Sequence, residues 1–409
     1  MKVADRFSRY VKYETTSNEH SQTVPSTSNQ LIFANVLRDE LKAIGVPKVL
    51  LNRYGIVYGW LPETEGRENA KALGLIAHMD TSPEASGKDV KIHRIPNYDG
   101  KDVELESGAW LRVQDFPHLK TLKGRTLLTT DGTTLLGADD KAGIAEIMTA
   151  LERVILENRP HGPLCIAFTP DEEIGKGADH FDTTLFGADF AYTIDGGPEN
   201  ELSCETFHAA SAHIQIHGLS VHPGSAKDIM VNAGLLATEL AGMFPQQETP
   251  RHTQGREGFY HLTGIQGNVS EAEMDYIIRD HDRAHFEQRK DFVRQAVSTL
   301  NEKYGPHTAE VTIEDSYYNM KEIIDQEPHL MENAQAVMKD LGMEPNLIPV
   351  RGGTDGSRLS FMGLPCPNLG TGGYACHGPL EHITEEGLEL ATEVVLGLID
   401  RYAGETDSR

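Results

Sequence analysis

Leu135–Leu136–Gly137–Ala138–Asp139–Asp140–Lys141–Ala142–Gly143, continued by Ile144–Ala145–Glu146–Ile147, is the stretch on which the architecture turns. A glycine-bearing loop gives way there to an apolar-periodic segment running to about Leu156, which predicts a helix. A helix start accounts for one of the two adjacent acids, because a carboxylate caps free N–H groups and meets the positive end of the dipole. It does not account for both. We read Asp139 as a carboxylate that bridges two metal ions.

Acids and histidines elsewhere follow strands in the same way. Leu73–Gly74–Leu75–Ile76–Ala77 reads as a buried strand emptying into His78–Met79–Asp80–Thr81–Ser82–Pro83. Pro163 to Thr169 forms a strand that ends in Pro170–Asp171–Glu172–Glu173, and Asp189 to Ile194 ends in Asp195–Gly196–Gly197. Strands alternating with helices indicate an α/β fold with a mostly parallel, helix-covered sheet, and such sheets gather ligands at the carboxyl ends of their strands. Upstream, the pattern gives an opening amphipathic helix, a second helix from Ser28 to Ile44 stopped by Gly45, and strands at 48–51 and 55–61. Pro83 to about Thr130 is rich in turn formers and charge and yields no confident element.

From about His208 the pattern changes. Ala212–His217 alternates with period two, a helical segment spans Ile229–Met243, and strand-like runs Gly258–Leu262 and Met274–Arg279 flank a turn near Gly267–Asn268. A long charged helix, Arg283 to Tyr304, leads to Ala309–Ile313. The order β-α-β-β-α-β is that of an α+β ferredoxin-like unit. The expected division is therefore a first domain in two parts, 1–207 and 318–409, interrupted by an inserted domain at 208–317. Its second part should hold a helix near His329–Leu341, the glycine-rich Arg351–Gly352–Gly353–Thr354–Asp355–Gly356, a short strand at Pro367–Leu369, His377 and a last helix from about Glu385 to Tyr402.

At 409 residues the chain exceeds what one hydrophobic core usually serves. A formal net charge of -25 argues against nucleic acid or an anionic membrane as partner. Four cysteines without CxxC pairing suit a reducing compartment, no apolar run approaches membrane-spanning length, and Met1–Phe7 carries no export-like apolar region, so a cytoplasmic location is expected.

Singly, each candidate ligand has an ordinary explanation. A histidine after a strand can be a hydrogen-bonded loop residue, Asp195 before two glycines a turn acid, and Glu172–Glu173 a solvated charge pair. The set is what carries weight. Two imidazoles, His78 and His377, with three carboxylates, Asp139, Glu173 and Asp195, suit Zn²⁺, Mn²⁺ or Co²⁺ and do not suit an all-oxygen Ca²⁺ site.

These clusters resemble those of the dinuclear zinc peptidases that include carboxypeptidase G, aminoacylase and peptidase V, and among them the cytosolic tripeptide aminopeptidases of bacteria. The likeness runs over nearly the whole chain. It rests on 78–83, 135–146, 169–177 and 195–197, together with His222–Pro223–Gly224, Glu314–Asp315–Ser316–Tyr317–Tyr318–Asn319–Met320 and 351–356. The resemblance implies two Zn²⁺ per subunit, with Mn²⁺ or Co²⁺ as alternatives. One ion would be held by His78 and Asp195, the other by Glu173 and His377, with Asp139 between them and a cis peptide at Asp139–Asp140. Asp80 would orient His78, and Glu172 would be the general base.

It also implies a small peptide substrate and a homodimer formed through the inserted domain. His222 of a partner subunit would donate to the oxyanion. Arg279, Arg351 and Asn268 stand where related enzymes hold a substrate carboxylate, although each has a structural reading as an ion pair or a turn residue. His213 and His217 share a strand face without an assignable carboxylate partner and read as structural. One departure stands out: the tripeptide aminopeptidases usually have Asn and an aromatic residue before the final His, where this chain has Ala375 and Cys376. A thiol beside a metal can ligate or oxidise. Two rival readings remain, a dipeptidase, carboxypeptidase or deacylase on the same metal site, and a non-catalytic peptide-binding protein on the same fold.

Overall fold

The computed structural model describes residues 1–404, and in it the chain divides into two units. The first comprises residues 1–204, 322–348 and those from 354 onward; the second comprises 205–321 and 349–353. Among the described residues no helix is long and apolar enough to cross a membrane.

An eight-stranded sheet organises the first unit. Its spatial order is Lys48–Leu51, Val57–Leu61, Leu164–Thr169, Leu73–His78, Phe190–Ile194, Asn368–Leu369, Glu201–Ser203 and Asn346–Leu347. The four central strands, Leu164–Thr169 to Asn368–Leu369 in that order, run parallel. The two outermost strands on the Lys48 side and the step to Glu201–Ser203 are antiparallel. Leu73–His78, Leu164–Thr169 and Phe190–Ile194 are buried at every position, as strands covered on both faces must be. Their carboxyl ends deliver His78, the turn before Glu172, and Asp195.

The helix Ala138–Leu156 lies on Leu73–His78, and the helices Val3–Tyr10 and Glu385–Gly404 pack against it. Glycine permits the closeness: a Cβ at Gly143 would stand 2.1 Å from the carbonyl oxygen of Ile194. The helix is regular only beyond its first turn, since Asp139 and Asp140 have non-helical backbone angles and the peptide joining them is cis. The second helix, Ser28–Ile44, stops where the sequence places the stop, with Gly45 at φ +108.

Between Pro83 and Thr130 the structure has more order than the sequence predicts. His93–Ile95 and Leu127–Thr129 join Gly373–Tyr374 and His382–Thr384 in a four-stranded sheet, and Val103–Glu104 pairs with Trp110–Leu111. Tyr98, Leu111, Leu119, Leu122 and Leu127 make a small apolar cluster beneath them. Strands of two or three residues are too short to show a period, which is why they escaped the reading.

The second unit has the α+β ferredoxin-like order. Its sheet runs Phe259–Gly267, Glu271–Asp280, His208–His217, Ala309–Tyr317, antiparallel throughout. Ala233–Ala241 and Arg283–Tyr304 supply the helices, whose Leu236, Leu240, Phe286, Val293 and Leu300 share a core with Ile214, Ile216, Met274 and Ile278. The first of these helices starts later than the apolar pattern suggests, because the Asn232 side chain accepts the N–H of Leu235 at 3.2 Å and caps it there. His213 does have a carboxylate partner, contrary to the sequence reading. Asp275 lies directly across the strands from it, and its Oδ1 is 2.7 Å from His213 Nδ1.

Candidate metal centre

Five residues from five separate segments of the first unit converge. His78 ends a strand, Asp139 begins a helix, Glu173 sits in a short 3-10 turn, Asp195 follows a strand, and His377 lies in a loop. Donor atoms of His78, Asp139 and Asp195 lie within 4.8 Å of one another, and so do those of Asp139, Glu173 and His377. Asp139 belongs to both groups. Its Oδ1 is 2.9 Å from His78 Nε2 and its Oδ2 is 3.4 Å from His377 Nε2. His78 Nε2 is also 3.5 Å from Asp195 Oδ1, and His377 Nε2 is 2.9 Å from Glu173 Oε2.

Other carboxylates hold these residues in place. Asp80 faces His78 Nδ1 with its backbone carbonyl at 3.1 Å and its Oδ1 at 3.3 Å, and its two carboxylate oxygens accept the N–H groups of Glu172 at 3.0 Å and Glu173 at 3.2 Å. One residue therefore fixes an imidazole and the turn carrying both glutamates. Asp140 accepts the His78 N–H at 3.1 Å and the Gly143 N–H at 3.2 Å, which makes it the helix-start acid of the pair. Asp171, at φ +59, is gripped by the Ser26 N–H at 2.7 Å and the Gln30 amide at 2.7 Å, so the 28–44 helix steadies the same turn.

The sequence reading missed three supports. Glu381 accepts three backbone N–H groups of the 136–139 loop, Asp355 accepts the Thr169 hydroxyl at 2.7 Å, and buried Lys141 donates to the Tyr13 carbonyl at 2.7 Å. Each is an ionisable residue inside a motif or just beyond one, with no spacing to mark what it bonds.

The electrostatics show a site short of positive charge. Burial pushes Glu172 well above the usual carboxylate range, with Asp195, Asp355 and Glu173 adding to it; Glu173 is pushed up to about 7 by burial and by Asp139. Asp195 and Asp355 are raised by burial as well, Asp355 to about 7. Burial opposes a charge on His78, yet Asp139 and Asp195 carry its pKa well above the histidine value. Asp139 and Glu173 lift His377 to about 11. Glu173 Oε1 is buried without a hydrogen-bond partner. Buried carboxylates in this excess, with an unpaired oxygen among two imidazoles, fit divalent cations that favour mixed nitrogen and oxygen donors.

Cys376 is not among the grouped ligands. Burial and the surrounding acids Asp139 and Glu381 push its thiol well above the ordinary value, away from the reactive thiolate. Ala375 and His377 on either side adopt positive φ, at +54 and +66.

The remaining candidates belong to the second unit. His222 caps its own turn, with Nδ1 accepting the Gly224 N–H at 3.1 Å. Asn268 Oδ1 accepts the N–H groups of Ser270 at 2.8 Å and Glu271 at 3.2 Å. Arg279 donates to the carbonyls of Ala210 at 3.2 Å and Ile278 at 2.9 Å. Arg351 donates to the Gly255 and Glu257 carbonyls at 2.8 and 2.9 Å and to Thr253 Oγ1 at 2.8 Å, over the rings of Phe207 and Phe259. All four make structural bonds within their own unit.

The model of peptidase family M20/M25/M40 matches residues 130–401. A peptidase T of Caldanaerobacter subterraneus is 52% identical over 406 residues, covering 98% of each chain. Among solved structures, the aminopeptidase PepT of Bacillus cereus matches with a TM-score of 0.78 at 22% identity, over 98% of both chains. A tripeptidase of Staphylococcus aureus gives 0.78 at 23%, over 99% of this chain and 98% of that one. The two structures share this fold.

The charge distribution predicts the state of His377 in the metal-free chain. Because its pKa is raised to about 11, its contribution to stability is complete below the unfolded value of about 6.5 and is lost as pH rises through about 11. NMR of the metal-free protein should show an imidazolium at His377 from about pH 6 to about pH 8, with Glu173→Gln lowering the midpoint. A midpoint near 6.5 in the unsubstituted chain would contradict this.

Proposed function

The chain belongs to peptidase family M20/M25/M40 and stands within it among the peptidase T enzymes, and from that premise we propose that it hydrolyses the N-terminal peptide bond of tripeptides. The observation that carries this reading is the Asp139 carboxylate set between His78 and His377, with the backbone N–H of Glu172 held by the same Asp80 that faces His78. The tripeptidase of Staphylococcus aureus, alike in fold, supports the choice of substrate length.

His78 and Asp195 would hold one divalent ion, Glu173 and His377 the other, with Asp139 shared. The donor set favours Zn²⁺, with Mn²⁺ or Co²⁺ as alternatives. When bound, such ions act as Lewis acids toward the scissile carbonyl and lower the pKa of the attacking water. Asp80 fixes the tautomer of His78 by facing its Nδ1, which leaves Nε2 as the ligating atom. Glu172 is the general base: it takes a proton from the water as the water attacks, then passes a proton to the departing amine. Burial raises its proton affinity, which suits a group that must accept and then release a proton.

His222 donates to the oxyanion across a homodimer made through the second unit. Its Nδ1 already accepts the Gly224 N–H, so the ring proton sits on Nε2 and faces outward as a donor. Arg279 and Arg351, with Asn268, anchor the substrate carboxylate using the donors that their structural bonds leave over. A cytoplasmic location accords with four free cysteines among the described residues.

The reading is tested with Met-Gly-Gly, Met-Gly and N-acetyl-Met-Gly-Gly as substrates. The metal-loaded chain should cut only the free tripeptide, and Glu172→Gln should keep its metal while losing about 10²–10⁴ in kcat. Cleavage of the blocked or shorter peptide would move the assignment to another amidohydrolase of the family. The dimer proposal has its own test. His222→Ala should lose on the order of 10²–10³ in kcat, and mixing it with Glu172→Gln should restore turnover through hybrid dimers. No restoration in verified mixed dimers would place His222 in the same active site as Glu172 and sink the proposal.

A further inference from the structure

Glu381 lies four residues beyond His377, in a segment that turns at Gly378, whose carbonyl accepts the Glu381 N–H at 3.1 Å. Its side chain is 1% exposed. One oxygen accepts the N–H groups of Leu136 at 2.6 Å and Gly137 at 2.7 Å, and the other accepts the N–H of Asp139 at 3.0 Å. Gly137, at φ +79, bends the loop so that these N–H groups point to one side, as in the concave amide nests that bind anions. Here the anion is supplied by the protein itself. The Thr130 hydroxyl lies between the two pieces of chain, 3.0 Å from the Thr134 carbonyl and 3.3 Å from the Pro379 carbonyl, and accepts the Gly132 N–H at 3.0 Å.

We propose that Glu381 is a positioning residue for the metal centre, locking the loop that carries Asp139 to the segment that carries His377. An imidazole and the carboxylate meant to share an ion with it reach the site on separate strands of chain, and only their relative placement makes a ligand pair. The Glu381 carboxylate sets that placement from behind. It touches neither substrate nor ion. A carboxylate suits the task because it has only acceptors to offer, enough for three N–H groups. An amide of the same shape would turn an NH₂ toward one of those donors. The loop would then have to rotate, carrying the Asp139 oxygens out of line with His78 and His377.

The inference rests on the metal reading, and the two can fail separately. The test uses Glu381→Gln, Glu381→Asp and, for comparison, Thr130→Val, which removes the hydroxyl set among Gly132, Thr134 and Pro379 and leaves the three N–H groups of the nest their acceptor. Each metal-free chain is titrated with Co²⁺, following the visible absorption that reports the ion's ligand geometry, and activity is assayed after loading. Glu381→Gln should lose about 10–100-fold in affinity and change the Co²⁺ spectrum, with Glu381→Asp in between and Thr130→Val close to the parent. Circular dichroism of the metal-free chains shows whether each is folded, and if Glu381→Gln is not, Glu381→Asp against Thr130→Val carries the comparison. A folded Glu381 variant with parental affinity and spectrum, or a Thr130→Val chain with the same defect, would overturn the inference. Failure of the parent chain to bind Co²⁺ would sink the metal reading instead.

Discussion

A single carboxylate shared between two imidazoles is the constraint on which the rest of the first unit depends. Asp139 offers one oxygen to His78 and the other to His377, and the two histidines come from segments about three hundred residues apart in sequence. The parallel sheet places His78 and Asp195 at neighbouring strand ends, and the close seating of the Ala138–Leu156 helix, permitted by Gly143, sets Asp139 above them. His377 has no strand to place it, and its segment takes positive φ at Ala375 and His377. Behind it the segment is tied to the Asp139 loop by Glu381, and the Thr130 hydroxyl lies 3.3 Å from the Pro379 carbonyl.

The acids of the site divide by what they bond. Asp80, Asp140, Asp171 and Glu381 accept backbone N–H groups, which offset part of the cost of burying them, although burial still raises Asp140, Asp171 and Glu381, the last to about 7. Asp139, Glu173, Asp195 and Glu172 face one another and the two imidazoles, and burial raises three of them while Asp139 is held far below the usual range by His377 and His78. Such a group of acids is costly for an isolated fold and useful for one that binds cations. The division explains how adjacent residues take different parts: Asp139 with Asp140, and Glu172 with Glu173, each pair differing only in which way the chain turns a side chain.

Much of this was legible in the sequence. The buried strands at 73–78, 164–169 and 190–194 announced themselves as apolar runs, Gly45 marked a helix end, and the charged helix 283–304 was read to its observed limits. His78 and Asp195 were legible because neighbouring strand ends in an α/β sheet converge on one edge, whereas Asp139, Glu173 and His377 sit at a helix start, in a turn and in a loop, and were grouped with them through the likeness of their motifs to the dinuclear peptidases. The short strands between Pro83 and Thr130 left no period to read. Glu381 and Asp355 could not be singled out either, since what they bond is backbone and a neighbouring hydroxyl brought near only by the fold. Asp275 went unnoticed opposite His213 for a similar reason, because strand register decides which side chains face each other and alternation alone does not give register.

The most direct measurement of the central claim is metal stoichiometry and affinity for Asp139→Asn beside the parent chain, by elemental analysis and competitive titration. If Asp139 is the shared carboxylate, the parent should hold two divalent ions per chain and the variant should bind both weakly, because the substitution removes a charge common to the two positions. Loss of one ion with the other held at parental affinity, or two ions held undiminished, would contradict the account.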